Sequence, residues 1–327
     1  MLFPEICGYF RLPFFLLCVF ATHAYATEEK HALIIGNSQY GADSLKNPVN
    51  DAQDMAEALA RLGYKIHSGS AFLNTTGNQL RRAITSFADQ LPSGATALVF
   101  YAGHGVSWQG DNYLLPTDTG LMNVDSIQDQ SMSLQTIVNK LADANPEGSN
   151  IFLLDACRNN PLTDRLGGNI GLTRIYSLPH GTFIGYAAQE GRVASDGKGR
   201  NGRYTAALLE ALENYSSLAI TEFHREVRRL VYSESRREGE NQLPMEEATV
   251  TARLCFGSCD IAFEVPEQSP PLQTTAGVAE AIEESSSNRK TLLFTVLGAV
   301  LVGLMLSQDN GSDSQDSVTL NLTPPAQ

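Results

Sequence analysis

Cys157 and His104 are the residues of this chain whose types and settings suit joint chemistry. Cys157 closes the run Ile151-Phe152-Leu153-Leu154-Asp155-Ala156, and His104 stands between Gly103 and Gly105 just after Ala95-Thr96-Ala97-Leu98-Val99-Phe100-Tyr101-Ala102. A short apolar run that breaks at once into small and polar residues reads as a buried strand reaching a surface, because strands covered on both faces lose polar alternation. In an open α/β sheet, chemistry gathers beyond the carboxyl ends of the strands. A Cys and a His at the lips of neighbouring strands make a thiolate and imidazole pair: the thiol, partly ionised near neutral pH, attacks a carbonyl carbon, and the imidazole manages the proton. Singly, each residue has a plainer reading, a satisfied loop histidine and a buried core thiol.

Positioning these two requires a sheet. His31-Ala32-Leu33-Ile34-Ile35-Gly36 reads as a first buried strand, followed by the loop Asn37-Ser38-Gln39-Tyr40-Gly41. Asn50-Asp51 opens a helix through about Leu62, with Asn50 or Asp51 able to cap it, Gly63 stopping it, and Met55, Leu59 and Leu62 at helical spacing. Tyr64-Lys65-Ile66 begins a second strand, and Gly77 to Leu91 carries Leu80, Ile84, Phe87 and Leu91 as a second amphipathic helix. After the His strand come a hairpin-like excursion from Trp108 to Leu115 and a helix from Ser133 to about Asn145. The Cys strand follows. Asn159 to Pro179 lacks periodicity and reads as a long mobile loop. Thr182 to Ala187 is a fifth strand, Tyr204 to Asn214 and Ile220 to Arg236 are helices, and Ala248 to Phe256 alternates like a last, edge strand. Strands and helices alternating in this way predict a mostly parallel six-stranded sheet with helices on both faces.

The 43% hydrophobic and 18% charged fractions exclude a chain disordered throughout, and 23 Lys+Arg against 36 Asp+Glu give a net charge of -13. Such a charge repels nucleic acid, which is excluded as a partner. Residues 1–26 resemble a secretory signal: Arg11, the apolar run Leu12 to Phe20, then Ala24-Tyr25-Ala26 as a cleavage site. With Cys7 and Cys18 removed, Cys255 and Cys259 are close enough to pair in an oxidising compartment, leaving Cys157 as the odd thiol; the alternative is three reduced packing cysteines. No four-ligand metal set is visible, and no cofactor is implied. The folded domain is expected over 27–263, a Pro-, Ser- and Glu-rich linker over 264–290, a membrane helix at 291–307, favoured over a docking helix because the run has no polar face, and a polar tail over 308–327. Arg289 and Lys290 argue for a cytoplasmic side before that helix, whereas a cleaved signal places the domain outside, on the periplasmic side; the signal is the stronger indication.

Asp155-Ala156-Cys157-Arg158-Asn159 is similar to the caspase pattern Q-A-C-[RQG]-G, and His104 lies 53 residues before Cys157, against about 50 in that pattern. With Tyr101-Ala102-Gly103-His104-Gly105, Asn50-Asp51-Ala52 and the run from Gly185-Tyr186-Ala187-Ala188-Gln189 to Asn201-Gly202-Arg203-Tyr204-Thr205, His31 to Phe256 resembles a bacterial caspase-like cysteine peptidase, closer to metacaspases and orthocaspases than to animal caspases. The resemblance implies a caspase-like three-layer α-β-α sandwich. It implies Cys157 as nucleophile, His104 as its partner, and the amides of Gly105 and Cys157 as the oxyanion hole. It also implies protein or peptide substrates and self-cleavage in the loop after Cys157, where Arg165 and Arg174 stand beside or near glycines.

Specificity is expected to rest on acids. Asp155 lies two residues before Cys157 and in a strand points to the same side; Asp51 falls in the stretch that resembles the metacaspase motif supplying a second pocket acid. Both are ionised at neutral pH, and such a pair draws in Arg or Lys and repels a carboxylate. The plainer reading has Asp51 capping its helix and Asp155 tying down a loop. A rival from another class is a caspase-fold interaction module with lost or dormant peptidase activity, working through its linker and tail.

Overall fold

Buried from Ala32 onward, β1 (Lys30–Gly36) leads through a 3-10 turn at Gly41–Asp43 into α1 (Pro48–Arg61). Pro48 sits in the first turn, where its missing N–H costs nothing. Asn47, not Asn50 or Asp51, is the N-cap: Asp51 already lies inside the helix, so the expectation that it caps α1 is corrected. The computed structural model describes residues 29–119, 124–157, 172–175, 177–189, 194–195 and 197–259. The signal, linker, apolar segment at 291–307, tail and Arg165 lie outside the described residues. By compactness the chain divides between Ile261 and Ala262.

Short strands β2 (Lys65–Ile66) and β3 (Phe72–Leu73) both pair parallel with β1, and α2 (Gly77–Asp89) begins in a capping box of Thr76 and Gln79. The His strand, β4 (Thr96–Trp108), is far longer than the apolar run suggests. His104 therefore does not end a strand. β4 runs on because β5 (Asp111–Leu114) supplies an antiparallel partner for Gly105 to Trp108, across a turn in which Gln109 and Gly110 have φ of 52° and 84°. The helix α3 (Val124–Gln130) has no counterpart in the sequence reading; β6 (Met132–Ser133) pairs β5, and α4 (Leu134–Ala144) is capped by Ser133.

The remaining elements are β7 (Ser149–Cys157), β8 (Thr182–Tyr186), α5 (Arg203–Asn214), α6 (Ile220–Arg237) and β9 (Met245–Ala248). The six-strand path runs β2-β1-β4-β7-β8-β9, parallel except for the last pair, with β3, β5 and β6 off it. Met55 and Leu59 of α1, Leu208 of α5 and Phe223 and Val227 of α6 cover one face. Leu80, Ile84 and Phe87 of α2 and Ile137 and Leu141 of α4 cover the other. Three layers result, each large buried aliphatic or aromatic side chain contributing about 1.5–3 kcal/mol.

Two boundaries differ from expectation. The edge strand ends where it was expected to begin: past Thr249, whose N–H still donates to the Thr182 carbonyl at 2.8 Å, the chain leaves the sheet and runs beneath the start of α6. There the Leu254 carbonyl accepts the Ile220 N–H at 2.8 Å and Phe256 packs on Phe223 at 4.4 Å, so helix packing produces the alternation read as a strand. The loop after Cys157 is docked at its end. Leu172 is buried, and the Asn112 amide acts like a strand partner for Thr173, accepting its N–H at 2.7 Å and donating to its carbonyl at 2.7 Å. At the domain's rim, Lys30 Nζ donates to the carbonyls of Phe256 at 2.8 Å and Gly257 at 2.7 Å, and Cys255 is disulfide-bonded to Cys259.

Candidate active site

The β4–β7 register places His104 directly opposite Cys157 and Ala102 opposite Asp155. Directly paired residues on neighbouring strands are about 5 Å apart at Cα, close enough for a side-chain pair. The backbone of Cys157 closes β7; its side chain lies outside the described part of the structure. His104 is buried, and its Nε2 lies 2.8 Å from the main-chain carbonyl of Asp43. A carbonyl only accepts, so Nε2 carries the proton and Nδ1 is the basic nitrogen of the neutral ring. Two phenols hold the same residue: the His104 N–H donates to Tyr40 Oη at 3.1 Å, and Tyr101 Oη donates to the His104 carbonyl at 2.8 Å. Gly103 has to be glycine, since a Cβ there would stand 2.7 Å from Tyr40 Oη and 2.8 Å from Tyr101 Oη. A Cβ at Gly105 would press on the Leu172 side chain at 2.9 Å and on Ala156 Cβ at 3.0 Å.

The two acids converge on one residue. Asp51 Oδ1 accepts the Gly202 N–H at 2.9 Å; Asp155 Oδ2 accepts Thr205 Oγ1 at 2.6 Å and the Thr205 N–H at 3.2 Å. A Cβ at Gly202 would lie 2.9 Å from Asp155 Oδ2 and 3.4 Å from Asp51 Oδ2. The pair therefore sits at the N-terminus of α5, where exposed amides and the helix dipole stabilise negative charge. The expected capping role exists, but for α5 rather than α1. The loop before it is pinned to α1 as well: Arg200 forms a two-point ion pair with Asp54, and Asn201 donates to the same carboxylate at 2.8 Å. Burial pushes Asp54 up, but the Arg200 hydrogen bond is the larger effect and holds the carboxyl below the usual range.

Comparison with known proteins identifies the fold and its lineage: the caspase domain family matches residues 29–255. The chain belongs to the caspase-domain family. At family level it is a caspase-like cysteine peptidase domain. It is 30% identical over 168 residues to human (Homo sapiens) mucosa-associated lymphoid tissue lymphoma translocation protein 1, covering 51% of this chain and 19% of that protein. It is 26% identical over 162 residues to Metacaspase-4 of Arabidopsis thaliana, covering 43% of this chain and 36% of the relative. The chain thus spans well under half the length of these curated relatives. Caspase-1 from Spodoptera frugiperda shares the fold with a TM-score of 0.51 at 20% identity, covering 72% of this chain and 91% of that one.

Within this caspase domain, Cys157, His104 and Gly105 come together at the end of the β4–β7 pair, and Asp51 and Asp155 come together beside Gly202. Arg174 is exposed between buried Leu172 and Ile175. Cys255 and Cys259 are joined at the far rim, and no group of metal-ligating side chains occurs among the described residues. Sequence reasoning missed Tyr40, Asp43, Tyr101 and Thr205. Tyr40 and Asp43 had one usable signal, their place in the loop beyond a buried parallel strand, where sites form.

Behind the acid pair lie two buried polar clusters. Arg203 is fully buried and donates to Glu240 at 2.7 Å, to Gln242 at 3.0 Å and to Glu238. Gln242 donates to the Ala187 carbonyl at 2.9 Å and accepts the Ser195 N–H at 3.1 Å, so Arg203, through Gln242, is tied to two points of the loop that delivers Gly202. Burial pulls the Arg203 pKa down, but its carboxylate partners outweigh this and raise it. His224 joins Glu246 at 2.6 Å and Tyr204 Oη at 3.1 Å. Burial depresses its pKa despite the pull of Glu246 and keeps it neutral. Glu246 is pushed up by burial, but the hydrogen bond from His224 and the charge of Arg228 prevail and hold it below the usual carboxylate range.

Proposed function

We propose that this caspase domain is a cysteine endopeptidase that cuts after Arg or Lys, with Cys157 as nucleophile and His104 as its acid and base. The observation carrying this reading is the juxtaposition of His104 opposite Cys157 and, two residues earlier on the same strand, Asp155 meeting Asp51 at Gly202. The thiolate adds to the scissile carbonyl while the amides of Gly105 and Cys157 receive the oxyanion. His104, held through Nε2 by Asp43, protonates the leaving amine from Nδ1 and then activates the water that hydrolyses the thioester. Asp51 and Asp155 supply two negative charges for a guanidinium or ammonium, and a planar two-point contact favours Arg.

The reading is tested with peptides differing only at the residue before the cut. Arg and Lys peptides are cleaved, Asp peptides are not, and Cys157→Ala abolishes turnover; activity surviving that substitution refutes it. Self-processing at Arg165 or Arg174 belongs to the same proposal. It is checked by mass spectrometry of wild type against Cys157→Ala, new termini being expected only in the former. Export and tethering by residues 291–307 are also proposed. The Cys255–Cys259 disulfide supports export, since such bonds persist in oxidising compartments. Recovery of the full chain from a soluble cytoplasmic fraction would overturn it.

A further inference from the structure

The loop beyond β1 packs an aromatic ring against His104. Tyr40 and His104 have ring centroids 4.4 Å apart with planes inclined at 52°, and Tyr40 is only 7% exposed, so the contact is fixed by its surroundings. The Tyr40 hydroxyl accepts the His104 N–H and donates to the Leu115 carbonyl at 2.9 Å. Tyr101 Oη is 2.8 Å from that same carbonyl and 3.3 Å from Tyr40 Oη. Asn37 Nδ2 donates to it as well, at 3.2 Å, and a Cβ at Gly103 would collide with both phenols. The His104 peptide is thus gripped at its N–H and its carbonyl by side chains rather than by strand partners alone, while the ring of one of them lies against the imidazole.

We propose that Tyr40 is a positioning residue for His104: its hydroxyl fixes the His104 backbone, and its ring stabilises the imidazolium that forms opposite the Cys157 thiolate. This rests on the Cys157 and His104 reading above. The physical asymmetry is between charge states. A cation against an aromatic face is attracted by the ring quadrupole, whereas a neutral imidazole gains much less. The ring also donates from Nε2 to the Asp43 carbonyl, a bond that strengthens when the donor is charged. Among the described residues, those with titratable side chains placed against His104 are Tyr40 and Asp43 from the loop and Tyr101 on β4, with the Cys157 backbone opposite on β7. Tyr101 adds no competing phenolate, because burial, followed by the neighbouring Tyr40, raises its pKa well above the ordinary value. Tyr40 therefore favours the ion-pair form of the dyad over the neutral form, lowering the pH at which the thiolate appears and raising the pH at which the imidazolium is lost.

The experiment measures the pH dependence of kcat/KM on an Arg peptide and of Cys157 alkylation by iodoacetamide. The variants are Tyr40→Phe, Tyr40→3,4,5-trifluorophenylalanine and Tyr40→Leu. Tyr40→Phe keeps the ring and loses the hydroxyl, so kcat falls several-fold while both limbs of the bell stay in place. Fluorination keeps the shape but cancels the negative face, so the bell narrows, its alkaline limb moving acidward by roughly half a unit to one and a half units. Tyr40→Leu combines both effects with KM little changed. Identical limbs in the Phe and trifluoro variants overturn the proposal, and since these two are nearly isosteric, misfolding of Tyr40→Leu cannot hide that result. His104→Ala tests the underlying dyad separately. Its alkylation profile should shift toward that of an ordinary thiol near 8.5. An unshifted profile would refute the dyad itself, whatever Tyr40 does.

Discussion

Replacing Gly202 by Ala adds one methyl group where the two acids meet. Gly202 has φ -59° and ψ 149°, which alanine adopts freely, so the backbone imposes no penalty and the effect is steric. The new Cβ would stand 2.9 Å from Asp155 Oδ2 and 3.4 Å from Asp51 Oδ2. Restoring ordinary contact moves the Asp155 carboxylate by roughly half an ångström, away from a position fixed by Thr205 Oγ1 at 2.6 Å. Overpacking of this kind costs about 1–3 kcal/mol, and for a domain of this size each kcal/mol lowers Tm by roughly 2–4 °C. If the acids read the substrate cation, a displacement on this scale removes roughly 10- to 100-fold of kcat/KM on Arg peptides. Alkylation of Cys157 by iodoacetamide, which needs no pocket, should stay at the wild-type rate. The assay is paired: calorimetry for the fold, and Arg-peptide turnover set against alkylation for the site. Wild-type Arg turnover in a protein whose Tm has fallen would refute the reasoning, because it would make the acid pair a cap for α5 and nothing more.

Asp155→Asn keeps the Thr205 contacts but removes the charge, so Arg turnover falls by about 2–5 kcal/mol of transition-state binding; Thr205→Val keeps the charge, and its Arg preference should persist in the same peptide comparison. Arg203→Met removes a buried cation from Glu238, Glu240 and Gln242 and should cost about 2–3 kcal/mol in urea unfolding, as hydration of the exposed Glu240 offsets part of the loss. His224 is held neutral in the folded protein, its pKa lying below the ordinary value near 6.5. Its stabilisation is complete above about 6.5 and declines as pH falls further, because only the unfolded chain takes up the proton there. Urea unfolding of His224→Gln should show a flatter stability curve from pH 7 to 5 than wild type; an equally steep curve would assign the acid sensitivity elsewhere.

The strands carrying the candidate site were legible because β4 and β7 are buried on both faces and write themselves as unbroken apolar runs. Asp155 was legible for a related reason, the two-residue repeat that puts it on the side of Cys157. The length of β4 was not. Gly103, His104, Gly105 and Ser107 break the apolar run, and the strand continues there because 103 and 104 pair with β7 and 105 to 108 pair with β5. The strand read over 248–256 failed the other way, because Leu254 and Phe256 alternate in response to α6 rather than to a sheet. Tyr40 and Tyr101 lie 61 residues apart, and no local pattern announces that two phenols meet on one histidine. Asp43 contributes a main-chain carbonyl, which any residue could supply, so its side chain carries no signal at all.

Lys30 opens the first strand, yet its ammonium rests on the carbonyls of Phe256 and Gly257, where the domain closes. Entrance and exit are therefore stitched side by side. A pull applied between the two ends would load that ammonium and its carbonyls together with the first β1–β4 rung, where the Thr96 N–H donates to the Glu29 carbonyl at 2.9 Å, whereas the β4–β7 rung that carries His104 and Cys157 lies at the opposite end of the strands. The same geometry makes the domain a cassette: a longer polypeptide can run in and out at one corner, and lengthening the flanking chain on either side leaves the sheet undisturbed.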